Sequence, residues 1–132
     1  MYDWDEYLTL AFNLLDNDNL GVNENTRCRV AISRAYYAVF HNAKHLCSNR
    51  KELRSVYDQG KGEHDKIYNK LLSVNTGNSE FKSACHSIAN EFKLLKKNRK
   101  QADYEANYNI NFKQARLLCK RSQRLIEKIK QL

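Results

Sequence analysis

The side chains of this sequence best placed for chemistry are cations. Lys93, Lys96, Lys97 and Lys100 recur at i, i+3, i+4 and i+7, the spacing that aligns four ammonium groups on one helical face, and Arg99 lies beside them. Further on, Lys113, Arg116, Lys120 and Arg124 make a second ridge, extended by Arg121, Lys128 and Lys130. Like charges this close oppose folding slightly, and an anionic partner relieves them; a groove between the two ridges would track a phosphate backbone. Tyr104 and Tyr108 follow the first run directly, and the bases of unpaired RNA stack on such rings. The plainer readings are a solvated basic face and two rings that cover the end of the fold.

Other reactive residue types are more scattered. His41 and His45, four apart, could share a metal, but no third ligand stands at a fitting spacing, so a packed or hydrogen-bonded pair is the simpler reading. His64 and the neighbours Cys85 and His86 are isolated signals. Cys28, Cys47, Cys85 and Cys119 form neither a CxxC pair nor a dense framework and read as reduced, buried small hydrophobes. There is no Gly-rich phosphate loop, no GxSxG elbow and no paired-carboxylate signature, so no metal or other cofactor is expected and ordinary metabolic catalysis has little support.

The formal net charge of +8 is unevenly placed. Residues 1–66 hold nine basic against ten acidic residues, a net −1, whereas residues 67–132 hold fourteen against five, a net +9. This asymmetry favours an acidic partner, either a phosphate backbone or the acidic surface of another protein.

The elements that must position these groups are helical. The 132 residues make room for one domain, 1–132, and the absence of proline with only four glycines (21, 60, 62 and 77) removes most of the turn chemistry that strand-rich folds need. Apolar spacings predict helices over about Asp3 to Leu15, Asn25 to Cys47 with Asn25 or Thr26 as N-cap, Glu63 to Val74, Glu80 to Arg99 capped by Ser79, and Asn111 to Lys130. A loop with a short turn around Glu52 to Tyr57 is expected between the second and third. The second helix carries apolar groups on nearly every side, so it is either central or meets another subunit through one face. The fold class is all-α, an antiparallel bundle of four to five helices. No run approaches the roughly 18 apolar residues of a membrane span, and the acidic N-terminus is unlike a signal peptide; a cytoplasmic protein is expected.

Two segments together resemble a known family. SRAYYAVFHNAK, residues 33–44, closely resembles the signature of the long second helix of HEPN domains, the small all-helical domains of prokaryotic toxin–antitoxin and antiviral defence systems. NRKQADY, residues 98–104, looks like their second signature, an Arg followed by a polar and aromatic pair at the start of the last helix. GKGEHDKIYNKL between them is similar to the family's Gly/His segment. The likeness covers roughly residues 3–130. In that family Arg is typically followed after four to six residues by His, and two subunits join these pairs in a cleft that cuts RNA without metal. Here Arg99 matches the Arg, but positions 104, 105 and 106 are Tyr, Glu and Ala, as in the family branch written R-x-x-A-D-Y, whose members often sit beside a nucleotidyltransferase.

By this resemblance Arg99 binds the scissile phosphate and Tyr104 orients it or contacts a base, as the two catalytic candidates. A phenol, titrating near about pH 10, is a poor base at neutral pH, and the missing imidazole is the usual proton shuttle for 2′-OH attack. Lys93, Lys96, Lys97, Lys100, Arg116, Lys120 and Tyr108 are the RNA-binding candidates. Arg34, a cation in an apolar helix, needs a partner, Asp103 or a phosphate, and these two are supporting residues. The expected assembly is a homodimer through the central helix with a basic cleft around Arg99 at the subunit boundary. The expected function is RNA-directed, as a metal-independent endoribonuclease or a relative that only binds RNA. Its partners would be RNA and a nucleotidyltransferase-type antitoxin or another defence protein, with Tyr104 a modification target. The alternative is a regulatory subunit that docks an acidic partner protein.

Overall fold

A computed structural model describes residues 1–132 as six α-helices with no strand. They are α1 (Glu6–Asp16), α2 (Glu24–Asn49), the single turn α3 (Lys51–Arg54), α4 (Glu63–Ser73), α5 (Ser79–Tyr104) and α6 (Phe112–Lys130), with a 3-10 turn at Asp18–Leu20. The all-α class and the bundle are as the composition implied, while several ends differ. The N-caps are Asn23 for α2 and Asn78 for α5, each accepting an N–H three residues on, rather than Asn25, Thr26 or Ser79. Asn25 is used elsewhere: its side chain accepts the Ile110 N–H at 3.1 Å and ties α2 to the loop before α6. Asn111 caps α6 in a reciprocal pair with Gln114.

α5 runs past Arg99 to Tyr104, so the NRKQADY segment closes α5 instead of opening the last helix. The reason lies across the bundle. The Arg29 guanidinium donates to the carbonyls of Ala102 in the last turn of α5 (3.2 Å) and of Glu105 (2.6 Å), Ala106 (3.2 Å) and Tyr108 (2.5 Å) in the segment that follows, tying the helix end and its exit loop to α2. Two residues earlier, buried Arg27 does the same for α1, donating to Leu14 (2.8 Å) and Leu15 (3.2 Å) while stacking on Phe112. Both clasps start from the first turns of α2.

α2 is the central helix, covered by α1, α5 and α6 of its own chain, while Val30 stays exposed and Arg34, Tyr37 and His41 stay half-buried. Ala31 and Ala35 allow close approach, and the Cys119 thiol of α6 reaches the Ala31 carbonyl at 3.9 Å. The core is in two parts. One gathers Tyr36, Val39 and Phe40 with α4, α5 and the end of α6; the other gathers Cys28, Ala31, Ile32 and Ala35 with α1, Ala102, Ala115 and Cys119. Leu8 and Leu118 pack against both clusters, and the buried Ser33 and Arg99 add a polar seam beside Tyr36. All four cysteines are free and buried; burial pushes the thiols of Cys28 and Cys85 up to about 11 and those of Cys47 and Cys119 to about 12. No helix is long and apolar enough to cross a membrane.

Removing the Arg29 clasp leaves the partly buried Ala102 and Tyr108 carbonyls without donors. Arg29→Ala should destabilise the fold by about 2–3 kcal/mol, the value of hydrogen bonds from a charged donor. A urea-midpoint shift equivalent to less than about 0.5 kcal/mol would show the clasp to be incidental.

Candidate anion site at the polar seam

The seam is built from three helices. α5 contributes Arg99, Asp103 and Tyr104, which recur at four and five residues and so share a side of its last turns. α2 contributes Ser33, Arg34, Tyr36 and Tyr37, and α4 contributes His64 near its start. Gly60 holds the preceding loop against α4. Its φ of 121° suits glycine alone, and a Cβ there would stand 2.7 Å from that of Asp65.

Arg99 is 5% exposed, with its guanidinium among the rings of Tyr36 (5.3 Å), Tyr37 (5.7 Å) and Tyr104 (6.0 Å). Its one ion pair, Nη1 to Asp103 Oδ2, is long at 3.6 Å, and its Nε is buried with no hydrogen-bond partner. Rings around a cation supply quadrupole attraction but accept no conventional hydrogen bond, so most of its donor capacity is unspent. Asp103 Oδ2 also accepts from Ser33 Oγ at 3.2 Å, and Ser33 Oγ accepts from Arg34 Nη2 at 3.1 Å. Arg34 thus meets Asp103 through a serine hydroxyl rather than directly, and its guanidinium lies over Tyr7 (5.3 Å) and Tyr37 (4.9 Å). Two guanidiniums therefore share one carboxylate, leaving the seam with an excess of positive charge.

His64, isolated in the sequence, is not isolated here. Its Nδ1 is 2.6 Å from the Tyr36 hydroxyl, and its ring stacks on Phe40 at 4.2 Å. Desolvation first, then the Arg99 and Lys96 charges, lower its pKa to about 4, so the imidazole is neutral near pH 7. Burial raises the Tyr36 phenol, which leaves that hydroxyl protonated. Serine hydroxyl, the two α2 tyrosines and His64 were the members that residue spacing did not assign. The paired tyrosines of AYYAVF were the visible signal.

The basic residues divide differently from the two-ridge expectation. On α5, Lys96 pairs with Asp65 of α4 at 2.8 Å and Lys93 lies over Tyr68 at 5.4 Å, so this ridge borders α4; Lys93, Lys97 and Lys100 are exposed. On α6, Arg116 is tied to Asp16 of α1, and Lys120 is exposed. None of these lysines lines the groove between α5 and α6, because the helices turn those faces outward to α4 and α1. Tyr104 is 75% exposed at the end of α5, while Tyr108 is half-buried beneath Arg29 at 5.7 Å. Arg99 lines none of the five main surface hollows of the single chain. His41 stacks on Trp4 at 3.5 Å, His45 bonds Asn49 at 2.6 Å, and the buried His86 Nε2 has no partner. No three His, Cys, Asp or Glu side chains converge as metal ligands.

No protein-family model, curated protein or solved structure matches the chain.

The His64 environment has a pH consequence. Its folded pKa is below its unfolded value of about 6.5, so the unfolded chain takes up the proton first and stability falls as pH drops from about 6.5 toward about 4. Burial also lowers His41, which adds to the same window. His64→Gln should flatten part of the fall in thermal midpoint between pH 7 and 4.5. NMR titration of the His64 ring near its ordinary value would contradict the burial described.

Proposed function

We propose that this chain is an RNA-directed helical module, built like the HEPN domains that its two signatures resemble, with Arg99 as its phosphate contact. The observation that carries the reading is the state of that guanidinium: buried, paired once at 3.6 Å, and with Nε lacking an acceptor. A cation so incompletely matched in a low-dielectric seam gains more from an arriving anion than a solvated lysine does. A phosphodiester brings two non-bridging oxygens in the planar arrangement a guanidinium fits, and displacing Asp103 toward Ser33 and Arg34 opens the edge that receives them. Tyr104 then offers an exposed ring to an unpaired base, and Lys97 and Lys100 lie within one or two turns to follow the backbone.

Cleavage without metal requires a ribose 2′-OH to attack its own phosphate, giving a 2′,3′-cyclic phosphate and a 5′-hydroxyl. Arg99 would stabilise the charge on the non-bridging oxygens. His64, whose Nδ1 is held by the Tyr36 hydroxyl, would take the 2′-OH proton at Nε2 and return it to the departing 5′-oxygen; its lowered pKa makes it a weak base, so cutting would be slow. Pairing of two copies across the half-exposed α2 stripe of Arg34, Tyr37 and His41 would set two such centres side by side and shield them from water.

The test uses labelled single-stranded RNA and tRNA in EDTA, read both as binding and as cutting. Wild-type protein should bind with an affinity that drops steeply between low and physiological salt. Arg99→Lys, which keeps the charge but not the fork, should weaken binding by about tenfold or more, equivalent to about 1.4 kcal/mol. His64→Gln should remove any cutting and spare binding. Arg99→Lys protein that melts like wild type and binds RNA equally well would dispose of the reading.

A further inference from the structure

The groove between α5 and α6 carries a surface that the RNA reading does not use. α5 and α6 meet less closely than either meets α2, and the gap between them holds a hollow of about 560 Å³ lined by Glu91, Leu94 and Leu95 of α5 and Leu117, Arg121, Arg124 and Lys128 of α6. The α6 residues recur at four, three and four, so they form one continuous stripe. A second hollow shares Leu117 and Arg121 and continues the trough toward Gln114 and Ile110. From Gln114 to Lys128 the α6 wall is about 21 Å long, or four helical turns.

Its two walls present Leu94, 47% exposed, and Leu117, 52% exposed, among the most exposed leucines of the chain. The rim is cationic and mostly unmatched. Glu91 is already paired with Lys128 at 3.1 Å; Arg121 has no ion pair, and Arg124 donates only to the Lys120 carbonyl at 3.4 Å. Leucines offer a nucleic acid no stacking face, and a second copy of this basic surface would be repelled. A trough of helical length with leucines on its walls and arginines on its rim is complementary to a helix with an apolar stripe flanked by carboxylates.

We propose that the α5–α6 trough docks an acidic amphipathic helix of a partner protein, with Leu94 and Leu117 receiving its apolar stripe and Arg121 and Arg124 its carboxylates. This site is separate from the Arg99 seam and does not depend on RNA binding.

The probe is a fluorescein-labelled peptide of about 20 residues with leucines at i, i+3, i+4 and i+7 and glutamates on the flanks, read by anisotropy on the full chain. It should bind and gain helicity, and its amide-shift footprint should fall on α5 and α6. Leu94→Glu with Leu117→Glu, both at exposed positions, should weaken it by at least about tenfold, as should Arg121→Glu with Arg124→Glu. Circular dichroism confirms that the variants fold. Equal binding of a scrambled peptide of the same composition would overturn the proposal by showing charge attraction alone. So would peptide binding indifferent to the leucine pair, or poly-uridine binding that needs the arginine pair while peptide binding does not.

Discussion

The arrangement depends on a helix end being held. α5 could stop at Arg99 or fray beyond it, because the residues that follow offer no glycine to terminate it and no basic side chain in its last turn to answer its dipole. The Arg29 guanidinium supplies both the donors and the charge from another helix, and it does so across more than seventy residues of sequence. That clasp adds to the helix's own backbone bonds in fixing Asp103 and Tyr104 relative to Arg99. With Arg27 serving α1 in the same way, the first two turns of α2 become the point where three elements are fastened.

The second constraint is the division of the core. A 26-residue α2 is long enough to serve two apolar clusters, and the polar seam falls where one gives way to the other. Tyrosines are suited to this border, being apolar in the ring and polar at the tip. Tyr36 faces the larger cluster with its ring while its hydroxyl meets His64. The seam therefore combines a low dielectric, which strengthens an electrostatic contact, with donors that the chain itself leaves unused.

Much of the scaffold was legible in the sequence. The spacing of apolar residues located every long helix, and the lysine periodicity on α5 described a true helical side. Two things were not legible, for one physical reason: they depend on which helix lies beside which. Periodicity placed Lys96 and Arg116 on ridges, but only packing brings Asp65 and Asp16 to them. Likewise the segment GKGEH gave no sign that His64 would reach Tyr36, since that contact needs the Gly60 turn and the docking of α4 on α5. Long-range carbonyl clasps such as Arg29 leave no local pattern at all. The expected caps of α2 and α5 lie one to three positions past the observed Asn23 and Asn78, because neighbouring Asn, Thr and Ser residues have nearly equal capping ability.

The seam also bears on stability, because its cation is poorly matched. A buried cation with one distant counter-charge costs the fold more than a flexible apolar side chain of similar length would, so Arg99→Met should raise the melting temperature.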